Sequence, residues 1–391
     1  MKNSPLWSLG FRPFFLGASL YAVLTMCAWL AVYRYGWPLD VAGLTPAQWH
    51  AHEMIFGYAM AVIAGFLLTA AWNWTSRETA SGAALALLFV AWATARALML
   101  PGTSLIWAAA AADLLFMAGL LIAVGRPILQ VRQKRQAPVL VMLMLLIVAN
   151  LCFYLGAAGW LPRGAYWGVN GGLYLVLGMV LFMGVRVIPF FTKRGVGYEV
   201  HMKRQRWNDI ATFTVFPLFL LSELLFPQRL PGALLAAAML TLNSLRISGW
   251  HTLGIWQKPL LWGLFGAFLM INLGFLLRAM MPVTEIPEFL PIHAFAVGGI
   301  GLVSISMMAR VTLGHTGRNV HQAPPVITLL LLGMVLALIL RVFLPLVDAA
   351  NYGLWVALSG GVWIVTFCLY LLVFVPMLLR PRVDAPKSGS E

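Results

Sequence analysis

Charge is what this sequence has least of: only 10% of its 391 residues are Asp, Glu, Lys or Arg, against about 25% in an ordinary soluble domain. Hydrophobic residues make up 61%, and a water-soluble globule of that composition would expose apolar patches large enough to aggregate. The chain therefore reads as an integral membrane protein. Long polar intervals are missing as well, so nothing between the apolar runs is large enough to bury a core of its own. Residues 1–391 accordingly read as one transmembrane domain, with 381–391 a short, disordered cytoplasmic tail. The three cysteines, Cys27, Cys152 and Cys368, lie inside apolar runs and form no Cys-x-x-Cys pair. That excludes a disulfide framework, a zinc ribbon and covalent attachment of a c-type haem. A nucleotide-binding Gly-x-x-x-x-Gly-Lys loop and an internal repeat are also lacking.

What is present is a series of apolar runs of spanning length. A membrane helix needs about 20 mostly apolar residues, and that ruler predicts an all-α bundle of twelve spans: 13–33, 48–74, 82–100, 104–125, 137–158, 167–190, 209–226, 231–256, 259–281, 289–312, 325–346 and 351–379. The first run is followed by Arg34-Tyr35-Gly36-Trp37 rather than by a small-residue cleavage site, so it reads as a retained span. The net charge of +14 has a topological pattern. With a cytoplasmic N-terminus, seventeen loop Lys and Arg fall on the cytoplasmic side, and only Arg34, Arg163 and Arg229 fall on the other. This positive-inside asymmetry predicts both termini in the cytoplasm. The basic excess thus points to anionic lipid and not to nucleic acid.

The remaining basic residues, Arg96, Arg186, Arg246, Arg278, Arg310 and Arg341, fall within predicted spans. An ionised side chain at the centre of a bilayer costs at least about 2.5–3.5 kcal/mol. Two readings stand side by side: these arginines snorkel to the headgroups, or some clamp an anionic group such as a porphyrin propionate. Intramembrane acids are fewer, namely Asp113 near mid-depth, Glu223 and Glu53. So sparse a set argues against a long proton-pumping chain but leaves room for local proton delivery.

Histidine is the more informative residue, because neutral imidazole is a common ligand of haem iron and copper. His50, His52, His251 and His293 fall in predicted helices, and the topology puts His50, His52 and His293 near the outer face. Thr45-Pro46-Ala47-Gln48 reads as a capping box with proline at the first helical position. His50 and His52 then lie in the first two turns, about 200° apart at 100° per residue, so one ideal helix cannot aim both at one ion. Gly57, Ala61, Ala64 and Gly65 below His50, and Gly298 and Gly301 near His293, would admit either a neighbouring helix or a flat macrocycle. Ser244, Ser248 and His251 share a predicted helical face, while His315, His321 and His201 are expected in cytoplasmic loops.

Several of these segments, in order, resemble the NnrS family: Gly10-Phe-Arg12-Pro-Phe-Phe15, Trp49-His50-Ala-His52-Glu53-Met-Ile-Phe-Gly57-Tyr58, Asn73-Trp74-Thr75, Arg186-Val-Ile-Pro189-Phe-Phe-Thr192, His293-Ala294 and Arg310-Val-Thr-Leu-Gly314-His315-Thr-Gly-Arg318. The resemblance extends over nearly the whole chain. It implies a multi-pass protein of the bacterial inner membrane that contains haem and copper and serves the response to nitric oxide. It strengthens the metal reading of His50, His52 and His293 and adds weight to His315, with His251 a more distant candidate. The expected haem is b-type. Arg12, Arg96, Arg186, Arg278 and Arg310, with Gly57, Gly298 and Gly301, are the expected cofactor-binding positions. Glu53, one turn from His50, is the expected local proton donor.

Two functions follow. In the first, nitric oxide is bound, or reduced to nitrous oxide, at a metal site near the outer face. Electrons would come from quinol or a separate donor, because the chain has no c-type haem, iron–sulfur motif or nucleotide fold of its own. In the second, the chain is a transporter or metal-handling protein whose helices, broken by residues such as Pro217, would build a midplane site.

Overall fold

The computed structural model describes residues 4–39, 43–100, 105–203 and 205–384. Within them the chain is helical, without strands, and twelve helices are long and apolar enough to span a membrane. They are α1 (Phe11–Tyr35), α2 (Pro46–Thr75), α3 (Gly82–Met99), α4 (Ile106–Gln130), α5 (Lys134–Ala157) and α6 (Gly164–Gly195). The series continues with α7 (Arg206–Leu225), α8 (Leu230–Trp250), α9 (Pro259–Val283), α10 (Phe289–His315), α11 (Val326–Val347) and α12 (Ala349–Leu379). Lys2, Arg204 and Lys387, counted in the charge asymmetry, lie outside the described residues, as does 385–391 of the expected tail.

Apolar side chains such as Leu87 (71% exposed) and Leu234 (62%) point outward, where lipid takes the place of water. Several polar residues of the spans, Glu53, Asp113, Asn150, Asn243 and Thr312 among them, are fully buried. That division follows from the cost of an unsatisfied polar group in hydrocarbon.

The chain divides into two compact units. The first comprises Met1–Val169, Met307–Ala323 and Phe367–Glu391, and so contains α1–α5. The second comprises Asn170–Ser306 and Pro324–Thr366, and contains α7–α9 and α11.

Two local departures from the expected spans bear on the candidate site. The eighth span, expected to continue to residue 256, ends at Trp250, and His251 follows with extended backbone. His251 is therefore off the helical face of Ser244 and Ser248, and its Nε2 accepts from Trp256 Nε1 at 3.1 Å. His315, expected in a loop, is the last residue of α10 and packs its ring 5.6 Å from Phe11. Three spans also contain π-helical segments, at Glu53–Ala59, Ala294–Gly301 and Ile339–Phe343. The first begins directly after His52 and the second directly after His293.

Candidate functional site

The capping box at the start of α2 is formed as the sequence suggests. Thr45 Oγ1 accepts from Gln48 N, and Gln48 Oε1 accepts from Thr45 N. It sets the first turns of the helix, from which the two histidines diverge. His50 stacks on Trp29 of α1, with ring centroids 4.4 Å apart. His52 turns into the first unit, where its ring lies 3.9 Å from that of Phe153 on α5.

Around His52 each of the first five spans contributes at least one polar side chain. Tyr21 comes from α1, His52 and Glu53 from α2, Arg96 from α3, Asp113 from α4, and Asn150 and Tyr154 from α5. All seven are buried. His52 Nδ1 is 2.7 Å from Glu53 Oε1, and His52 Nε2 is 2.9 Å from Asn150 Oδ1. Arg96 bridges both acids, with Nη1 2.8 Å from Glu53 Oε1 and Nη2 2.5 Å from Asp113 Oδ2. Asn150 Nδ2 and the Tyr154 hydroxyl each donate to Asp113 Oδ2 at 3.0 Å. Tyr21 donates its hydroxyl to Glu53 Oε2.

The donors and acceptors determine where the protons sit. Asp113 Oδ2 accepts hydrogen bonds from Asn150 and Tyr154 and pairs with the Arg96 guanidinium at 2.5 Å, so Asp113 is the ionised partner. Because Asn150 turns its amide nitrogen to Asp113, its carbonyl oxygen faces His52, and Nε2 must carry a hydrogen. The remaining contact, Nδ1 to Glu53 Oε1, then requires one proton between two groups that otherwise both present lone pairs. It resides either on imidazolium or on carboxylic acid. With it, the cluster is electrically neutral in both forms: Arg96 balances Asp113, and the shared proton balances His52–Glu53. Neutrality is what the low dielectric of a buried membrane site demands. Asp113 Oδ1 has no hydrogen-bond partner among the described residues, a buried acceptor open to an incoming donor.

Gly57, one turn beyond Glu53, lets α1 and α3 approach this cluster. A Cβ there would lie 2.5 Å from Tyr21 Cε1 and 3.1 Å from Arg96 Cδ. In the second unit Gly298 packs against Met270 and Leu338, and Gly301 against Met334 and Trp363. The three glycines thus serve close helix contacts in this structure.

The other expected positions are spread through the chain. Arg12 donates through Nη1 to the carbonyls of Leu378 and Arg380 at 2.7 Å each, closing the end of α12. Arg278 is paired within the second unit to Glu223, whose Oε1 is 2.7 Å from Nη2, and Gly232 leaves room for that pair against the backbone of α8. Arg186 lays its guanidinium 4.3 Å from the centre of the Phe182 ring. Arg310 is buried in the first unit. His293, in the second unit, donates from Nδ1 to Phe289 O at 2.6 Å, which selects the tautomer with its lone pair on Nε2. Among the described residues no group of three His, Cys, Asp or Glu is arranged to hold a metal ion.

The roles of Asn150, Tyr154 and Tyr21 were not anticipated from sequence. A usable signal was present, since Glu53, Arg96, Asp113 and His52 in the first four spans nearly balance in charge and so call for mutual pairing.

The fold and site together define a class: a polytopic α-helical membrane protein with a charge-compensated polar cluster buried among its first five spans. Residues 5–382 match the NnrS protein family, and the chain belongs to it. No curated protein matches the sequence.

Proposed function

We propose that this chain is a haem b- and copper-binding protein of the bacterial inner membrane that acts on nitric oxide, with the cluster around His52 and Glu53 as its proton-holding element. Membership of the NnrS family supports the nitric oxide reading. The observation that carries the site is the 2.7 Å contact of His52 Nδ1 with Glu53 Oε1, a pair able to hold and give up a proton inside a membrane otherwise poor in carboxylates. The charge asymmetry supports cytoplasmic termini and hence an outward position for the start of α2.

The donor chemistry of the histidines fits such cofactors unequally. His293 fits best, because a histidine whose Nδ1–H is held by a backbone carbonyl presents Nε2 as the ligating nitrogen. His50, held flat against Trp29 near the start of α2, is a second candidate. His52 would bind a metal only by giving up Asn150 or Glu53, and so fits better as a proton carrier than as a ligand. Bound haem and copper would supply affinity for nitric oxide and the route for electrons from quinol or a separate donor.

The chain's own residues hold and orient the proton. Arg96 steadies the carboxylate that Glu53 becomes when the proton leaves, Tyr21 donates to its other oxygen, and Asn150 keeps the His52 ring in one orientation. Reduction of two nitric oxide molecules to nitrous oxide and water consumes two electrons and two protons, so a held proton has a clear use. A transporter reading draws on the π-helical interruptions of α2, α10 and α11.

The visible spectrum of the purified protein separates the two. A Soret band shifted by nitric oxide, with a haem released by acid–acetone, is the expected result. Absence of haem and copper from protein purified with both supplied would overturn the reading.

A further inference from the structure

A second polar site lies in the second unit. Here the end of α6, the segment that follows it, the first turn of α7 and the end of α8 enclose a cavity of about 340 Å³. Four cationic side chains line it, Arg186 and Lys193 from α6, Lys203, and Arg246 from α8, against the single carboxylate of Asp209. Charges of one sign gathered in a partly enclosed pocket repel one another unless an anion joins them.

The two arginines are held in place and do not float. The guanidinium of Arg186 rests 4.3 Å from the Phe182 centroid, and that of Arg246 sits 5.9 Å from the Phe213 centroid. Those two rings meet edge to face at 5.6 Å, so one aromatic pair supports both cations. Arg246 is 5% exposed and is anchored further by Thr212 Oγ1 at 2.9 Å and Asp209 Oδ1 at 3.3 Å. Lys193 and Lys203 are exposed. The remaining wall is apolar, formed by Pro189, Phe190, Leu245 and Trp250, with Phe190 and Leu245 still open to their surroundings.

A cationic floor beside an apolar wall, at the end of membrane helices, matches an amphiphile whose phosphate enters the pocket while its glycerol and first methylenes lie along the wall. We propose that this pocket binds the phosphate of one anionic phospholipid. A soluble phosphate would satisfy the cations but leave the apolar wall without a role.

Native mass spectrometry of the full-length protein in mild detergent tests this, with phosphatidylglycerol, phosphatidylcholine and inorganic phosphate as separate probes. One phosphatidylglycerol should bind in preference to phosphatidylcholine. Lys193→Gln and Lys203→Gln, both exposed and therefore tolerated by the fold, should each weaken that first binding about fivefold, and Lys→Arg at either position should restore it. Inorganic phosphate binding with the same lysine dependence, while phosphatidylglycerol is no better than phosphatidylcholine, would overturn the lipid as occupant. Equal phosphatidylglycerol binding by the wild type and the double Gln variant would overturn the site.

Discussion

His52 Nδ1 and Glu53 Oε1, on consecutive residues of one helix, stand 2.7 Å apart, close enough to share a single proton. Asp113 and Asn150 set the direction of the Nε2 contact and Arg96 donates to Glu53 Oε1, which leaves the position of the proton on the Nδ1 contact undictated by the cluster.

Infrared difference spectroscopy should therefore detect either a protonated carboxyl stretch or an imidazolium signature that disappears in Glu53→Gln. A spectrum unchanged by Glu53→Gln would place the proton elsewhere. In anaerobic assays with a competent reductant, the same variant should bind nitric oxide as the wild type does but form nitrous oxide at least tenfold more slowly, since a lost proton donor affects the chemical step and not binding.

Arg96 is the cation that two buried carboxylates share. Arg96→Gln leaves Glu53 and Asp113 facing each other without it and should lower stability by about 3–5 kcal/mol, read as a fall in apparent Tm in detergent. Combining it with Asp113→Asn should recover part of that loss, because the second substitution removes the uncompensated charge. A double variant no more stable than Arg96→Gln alone would argue against the pairing.

Gly57→Ala introduces a methyl group 2.5 Å from Tyr21 Cε1 and close to Arg96. Overpacking of this kind costs about 1–3 kcal/mol. The variant should unfold earlier and also perturb the infrared signature of the His52–Glu53 pair, since both neighbours it displaces are partners of Glu53. Loss of stability with an unperturbed signature would separate the glycine from the cluster.

The histidines should divide by role. His293→Ala and His50→Ala should lower haem or copper per polypeptide in membranes where the protein still accumulates. His52→Ala should chiefly reduce stability, because it strips two hydrogen bonds from a buried network. Full occupancy of both cofactors in His293→Ala and His50→Ala would remove these two residues from the ligand set.

A reporter fused after Leu379 should be active on the cytoplasmic side, as the distribution of basic loop residues requires. A periplasmic signal would invert every depth assigned here.

The twelve spans were legible in the sequence because hydropathy is a local sum: a window of about 20 residues meets the bilayer alone, and its neighbours do not change the answer. The capping box at Thr45–Gln48 was legible for the same reason, being complete within four residues. Only the tertiary structure decided which polar residues meet. In lipid all faces of a helix are apolar, so the pattern carries little of the rotational phase that a soluble amphipathic helix displays. The turn of His52 toward Asn150, and of Arg96 toward both Glu53 and Asp113, is set by five helices packing together, with Gly57 permitting their approach. The π-helical turn after His52 compounds the difficulty, because one added residue per turn shifts the phase of everything beyond it, and no local composition announces it.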